Sequence, residues 1–291
     1  MQLLILGAGT GAVYGLLAVG LVLIYRTTRI VNFAHGAVAM LTGFVTWSLV
    51  HDLGVHYATA ILLSLEVAAV VGLVVDRGLM RFVRHRSRLS AVIMTVALGL
   101  LLQALVLLGW STQQLYRLEP VFIRRQVEIF GTPVSTESLA LMASALVLVA
   151  FLAALLRFRP QGLALRAVAE SRETAELVGI NSAATGTLAW VLGTAVAGIA
   201  GVLISPTIVM DAYQIPALMV KALAAALLGR LTSFGWALAG GIGIGVLEAR
   251  LPEVVSRPGA ADVGVFVVIV GFLAVRSGRD ASLRLEEDLA R

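Results

Sequence analysis

Five stretches of the chain, residues 3–25, 30–51, 89–116, 138–156 and 177–210, contain no Asp, Glu, Lys or Arg. Stretches of this kind can cross hydrocarbon, because about 20 apolar residues rising 1.5 Å apiece span roughly 30 Å. Lipid offers backbone N–H and C=O groups no partners, so these segments must be helices or lie inside a helical bundle. Composition agrees: 13% of the 291 residues are charged and 59% are hydrophobic. That is about half the charge density of an average soluble domain, too little to cover a soluble surface. A cytosolic enzyme is excluded. The sequence predicts an all-α, polytopic transmembrane bundle.

Spans are expected near 3–25, 31–50, 57–75, 89–110, 137–156, 182–205, 216–230, 234–250 and 262–276, eight or nine in all. The last three are short enough to be half-spans or re-entrant pieces. The first lacks the basic flank of a signal peptide and is too long for its apolar core, so it is expected to stay in place. No fixed repeat divides the chain. Residues 1–276 are expected to form a single transmembrane domain, followed by a charged tail at 277–291.

Five arginines within residues 77–88 are the strongest topological marker, and positive-inside bias puts them in the cytoplasm. Alternation from that point also puts Arg26 and Arg29, residues 157–176 and the tail inside. The expected topology is N-terminus outside and C-terminus cytoplasmic. Basic residues gathered in short loops serve orientation, not nucleic-acid binding, although the formal net charge is +5. Small residues recur at helical spacing in Gly7, Gly11 and Gly15, in Ala197 and Gly201, and in Ala237, Gly241 and Gly245. Such faces let helices approach closely, either within the bundle or against a second membrane subunit.

Chemistry-bearing motifs are scarce. With no cysteine, thiolate catalysis, thiolate metal sites and disulfides are excluded. Lys221, the only lysine, lies outside any glycine-rich phosphate loop, so no ATP site is encoded. His51 and His56 share a loop with Asp52, but a solvated loop explains them without a metal. No Ser-His pair stands out as a hydrolase, and no resident cofactor or metal is expected.

Residues 157–181 carry the most information. Pro160 ends one span and suits the first turn of a new helix. Leu163, Ala167, Glu170, Thr174 and Leu177/Val178 then follow at three- and four-residue steps. One short amphipathic cytoplasmic helix is predicted, closed by Gly179 in a left-handed cap. It either lies on the membrane surface or docks into a soluble partner.

Ala169-Glu170 followed by Gly179-Ile180-Asn181 resembles the coupling loop of permease subunits in bacterial ABC importers. The branched-chain amino acid ABC transporter permeases show a second similarity, in Ile24-Tyr25 through Ile30-Val31-Asn32-Phe33-Ala34-His35-Gly36 and Met40-Leu41. A third block matches at Met219-Val220-Lys221-Ala222, Ala226 to Gly229, Gly235, Gly240-Gly241 and Gly245 to Ala249. The resemblance covers about residues 5–250. The chain departs from the family pattern between Gly229 and Ala237, where paired glycines and a Ser-x-Pro-Gly-Ala turn are usual. It departs again at residues 273–278, which lack the usual Pro-x-Gly-Leu-Phe-Gly ending, and at Ala37 and Ala39.

The resemblance implies a membrane-spanning permease subunit of an ATP-driven importer in the bacterial cytoplasmic membrane. Its implied cargo is branched-chain amino acids or a similar small polar solute; urea, short amides and aromatic acids are alternatives. The implied partners are a homologous second permease subunit, two cytoplasmic ATPases that use the ATP and magnesium, and an extracytoplasmic solute-binding protein. Gly162, Arg166, Ala169, Glu170, Gly179, Ile180 and Asn181 would couple to the ATPases, with Glu170 as polar anchor. An ion-driven secondary transporter and a non-transporting structural subunit are the readings from other classes.

Polar residues inside spans need partners or a function. Asn32, His35 and Gly36 either form a satisfied network fixing helix register or mark a helix break on the substrate path. Glu66 and Lys221 are the charges best placed within spans. They either pair with each other or act separately, Lys221 then binding a substrate carboxylate or snorkelling to the surface.

Overall fold

The computed structural model describes residues 2–83, 87–111, 113–120, 126–129, 132–254, 263–267 and 270–271. Among the described residues, six helices are long and apolar enough to cross a membrane: Gln2–Thr28, Tyr57–Val83, Leu89–Gly109, Thr136–Phe158, Ser182–Ile204 and Phe234–Glu253. In chain order the elements are α1 (Gln2–Thr28), α2 (His35–His51) and α3 (Tyr57–Val74), which runs through a π-turn (Val75–Met80) into α4 (Arg81–Val83). Next come α5 (Arg88–Gly109), the hairpin β1 (Gln126–Ile129) and β2 (Thr132–Ser135), and α6 (Thr136–Phe158). Then follow α7 (Pro160–Glu170), α8 (Arg172–Leu177), α9 (Ser182–Ile204), α10 (Gln214–Leu228) and α11 (Phe234–Val254).

The first eight predicted spans each coincide with a helix. Two of them, α2 with 17 residues and α10 with 15, are shorter than the rest. The predicted span 57–75 is longer than expected, because the π-turn carries the helix on to Val83. Arg77 and Arg81 therefore sit on this extension and not in a loop. Residues 84–86 of the basic run, most of the predicted span 262–276 and the tail 277–291 lie outside the described residues. A short antiparallel hairpin, with Val127 opposite Val134, and an isolated bridge between Tyr116 and Met210 depart from an all-helical reading.

α1 occupies the centre of the bundle. Every residue from 11 to 24 is buried, so the helix is apolar all round, as a helix enclosed by others must be. It packs against α11, α9, α6 and α10. The small-residue faces turn inward: added methyl groups at Gly241 and Gly245 of α11 would overlap the backbone of Gly15 and Gly11 in α1. Close van der Waals contact of this kind holds helices together where lipid removes the hydrophobic force. The outer helices show the reverse of a soluble surface, exposing Leu100, Leu101 and Leu105 on α5 and Leu146, Val147 and Phe151 on α6.

Candidate functional site: a helix start inside the bundle and a displayed helical pair

α2 does not begin where α1 ends. His35, its first residue, packs its ring on Gly20, where an added Cβ would lie 2.7 Å from the His35 Nε2. Gly20 is eight residues before the end of α1 at Thr28, so α2 starts roughly 12 Å deeper than α1 stops, at 1.5 Å per residue. Residues 29–34 therefore run back into the bundle as irregular backbone. Such backbone is tolerated at membrane depth only where protein surrounds and satisfies it.

Thr95 of α5 supplies that satisfaction. Its hydroxyl lies 3.3 Å from the Phe33 nitrogen, which donates to it, and 3.4 Å from the Val31 carbonyl, to which it donates. The Asn32 Oδ1 accepts from the Ala34 nitrogen at 3.0 Å, a local turn that aims the chain into α2. Asn32 is 1% exposed and its Nδ2 has no hydrogen-bond partner among the described residues. His35 is 0% exposed, its ring set against the α1 backbone near Leu17 and Gly20. Gly36 lets α10 approach, since its Cβ position lies 2.8 Å from the Pro216 carbonyl oxygen. The Asn-Phe-Ala-His-Gly block thus builds a buried helix start, its histidine ring seated on α1 and its glycine against the second short helix, α10.

Lys221 and Glu66 do not meet. Lys221 of α10 reaches Glu248 of α11, with Nζ 2.5 Å from Oε1, and its Nζ lies 5.4 Å from the centre of the Tyr14 ring. The pair spans the α10–α11 hairpin, whose turn places Arg230 and Leu231 at φ 57° and 55° where the family usually has glycines. Glu66 is exposed on α3, with no polar partner among the described residues, beside exposed Leu62, Leu63 and Val70.

Arg117, which donates to the Pro206 carbonyl, lies at one end of the bundle, whereas a group of arginines, among them Arg26, Arg29 and Arg166, gathers at the other. Arg26 closes α1 there and lies within electrostatic reach of Glu170, Arg166 and Arg29. The Arg29 guanidinium donates to the Ala169 carbonyl at 3.1 Å, tying the α1–α2 link to the end of α7. Asp76, buried in the π-turn, accepts from the Thr187 hydroxyl of α9 at 2.5 Å. Thr95 and Asp76 were not singled out by sequence. Arg29 entered there only as a member of a basic cluster and Glu248 only as part of the third block, because neither contact follows a helical spacing.

Two helices, not the single one expected, fill residues 157–181. Gly162 sits so close to α6 that a Cβ would overlap the Leu156 backbone, which turns α7 back on α6. α7 stops at Ser171, an extended residue whose hydroxyl accepts from the Thr174 nitrogen at 3.2 Å and caps α8. Gly179 has φ 87°, and Ile180 and Gly179 donate to the Ala175 and Glu176 carbonyls, the paired bonds of a Schellman cap. The Asn181 side chain caps α9 through the Ala184 nitrogen at 2.9 Å. Glu176 is held below its ordinary carboxylate range by a hydrogen bond from Ser182 and then by one from Arg172, joining α8 to the start of α9.

The two helices bury one side against the bundle and leave the other open. Gly162, Leu165, Val168 and Ala175 point inward. Leu163, Leu177 and Val178, expected on the apolar contact face, are 59%, 87% and 72% exposed. Arg166 and Glu170 lie on the outer side with them. The segment therefore displays apolar and charged side chains outward from the basic end, and Arg29 and the α6–α7 and α8–α9 turns connect it to three long helices.

These features define a class: a multi-pass helical membrane protein with a helix start buried in its bundle and a short helical pair presented at its basic end. The family described as "Branched-chain amino acid transport system / permease component" matches residues 3–275, and the chain belongs to that family. The chain is 29% identical over 292 aligned residues to the high-affinity branched-chain amino acid transport system permease protein LivH of Salmonella typhimurium, covering 96% of this chain and 94% of the relative. It is 28% identical to the corresponding protein BraD of Pseudomonas aeruginosa, covering 86% and 85%. A probable branched-chain amino acid transport permease protein LivH of Methanocaldococcus jannaschii is 29% identical over 81% and 76%. No solved structure matches.

Proposed function

We propose that the chain is the membrane-spanning permease subunit of an ATP-binding-cassette importer for branched-chain amino acids or a similar small polar solute. It sits in the cytoplasmic membrane and carries no catalytic residue or resident cofactor of its own. The basic end faces the cytoplasm by positive-inside bias. α1 runs toward that end, which puts the N-terminus outside.

The helical pair at 157–181 carries this reading. A segment that exposes Leu163, Leu177 and Val178 beside Arg166 and Glu170 fits a soluble partner better than it fits water. Two cytoplasmic ATPases are that partner, and they use the ATP and magnesium. Their closure moves the pair, and α6 and α9, joined directly to it, rock with α1 and expose the path to each side in turn. A homologous permease subunit completes the path, and an extracytoplasmic binding protein delivers the solute. Asn32, His35 and Gly36 line the path at the helix break, while Lys221 holds α10 to α11.

Reconstitution with ATPases, second permease and binding protein in liposomes tests the reading. ATP-dependent uptake of leucine is expected from the assembly, and none from the chain alone. Gradient-driven uptake by the chain alone, without ATP, would replace the importer with a secondary transporter.

A further inference from the structure

At the end of the bundle opposite the helical pair, a cavity of about 240 Å³ opens between α2, α5 and the α9–α10 link. Phe44, Trp110, Tyr116, Met210 and Tyr213 form much of its wall, and Asp211 is its one acidic residue. The aromatic wall is fixed. Phe44 stands 5.4 Å from Trp110 and 5.3 Å from Tyr116 between ring centres. Tyr116 also exchanges a backbone bond with Met210, whose nitrogen donates to the Tyr116 carbonyl at 2.8 Å.

Asp211 has a structural duty that uses half of its carboxylate. Oδ1 accepts from the Tyr213 and Gln214 nitrogens at 2.7 and 2.6 Å and starts α10. Oδ2 has no partner among the described residues. A cap alone does not require a charge, since Asn caps as well as Asp does. The remaining oxygen adds a negative charge to an aromatic-walled cavity, and carboxylate and ring faces together are what a cation attached to an apolar body requires. The location adds to this. Met210 of the wall also packs against Gly43 of α2, and six residues after Met210 comes Pro216, which meets Gly36 at the buried start of α2. The cavity therefore lies next to the helix break.

The geometry points to this cavity as an entry subsite for a small solute carrying a primary ammonium on a compact apolar body, the ammonium at Asp211 and the apolar part against Phe44, Trp110 and Tyr116. This rests on the import reading for its direction, since the cavity is then on the side from which solute arrives.

Binding to the purified full-length chain in nanodiscs tests it, using L-leucine, 3-methylbutylamine (no carboxylate) and 4-methylpentanoate (no amine). Both amines are expected to bind and the acid is not. Asp211→Asn keeps the cap acceptor and removes the charge, so it should weaken both amines about ten-fold or more, as loss of a charge-assisted hydrogen bond does. Unchanged amine affinity in Asp211→Asn, equal binding of the acid, or no binding of either amine by the wild-type chain overturns the subsite. ATP-driven leucine uptake in the full assembly separates the two ideas. Uptake with an unchanged KM in Asp211→Asn removes the subsite and leaves import standing. Asp211-dependent amine binding without ATP-driven uptake removes import and leaves the subsite.

Discussion

Lys221 shows how a single residue resists interpretation from sequence. A lysine within a span signals a partner or a function, and the sequence offered Glu66 or a substrate carboxylate. The structure pairs it with Glu248, across a hairpin. A spacing of 27 residues carries no periodic signal, so the partner became visible only when α10 and α11 folded back on each other. The pair is 17% and 26% exposed at its side chains, which predicts an asymmetric response to mutation. Lys221→Met leaves Glu248 buried without its cation and should cost toward the lower end of the roughly 3–5 kcal/mol seen for broken buried pairs. Lys221→Met combined with Glu248→Leu should recover most of that loss in thermal unfolding of the detergent-solubilised chain. A double variant as unstable as the sum of the two single ones would place Lys221 in a role other than this pair. His35 was read more fully: its block was recognisable, but the reason for it, a ring seated on Gly20 at the crossing of α1 and α9, depends on a glycine 15 residues away.

At the scale of the element, the segment and both of its ends were legible in the sequence, but its division into two helices was not. The Pro160 start and the Gly179 cap were legible because each rests on local backbone chemistry: a fixed φ at one end and a left-handed φ at the other. The break at Ser171 was not legible. Counting apolar steps through Ser171 assumed one continuous helix, whereas the Ser171 hydroxyl caps a new one and shifts the phase. The leucines that fitted the count are the exposed ones. Gly179→Val tests the element directly. A β-branched residue at φ 87° costs about 1–2 kcal/mol, so the Schellman cap should open and α8 lose its angle to α9. ATP hydrolysis by the assembly should then continue while leucine uptake falls several-fold, with membrane insertion and abundance unchanged. Coupled uptake at the wild-type ratio of ATP to solute would argue against a mechanical role for the cap.

At the scale of the whole molecule, charge-free stretches made the bundle legible, since lipid imposes the strictest constraint a sequence can carry. They did not reveal depth. Residues 30–51 read as one more span, yet their first part is irregular backbone and α2 starts inside the bundle. Hydropathy cannot distinguish an apolar strand of loop held by Thr95 from an apolar turn of helix. Nor did it distinguish α1, enclosed by other helices, from α5 and α6, whose outer faces carry exposed leucines. The proposed function requires the two ends of this bundle to differ, the basic end with its helical pair facing the cytoplasm and meeting a separate ATPase there. Because the chain has no native cysteine, single replacements report position without background. Leu177→Cys at the basic end and Gln114→Cys at the other should be compared with a membrane-impermeant maleimide. The account predicts labelling of Gln114→Cys in intact cells, labelling of Leu177→Cys only after permeabilisation, and protection of Leu177→Cys once the partner ATPases are bound. Labelling of Leu177→Cys from outside intact cells, or at the same rate with and without those ATPases, would contradict it.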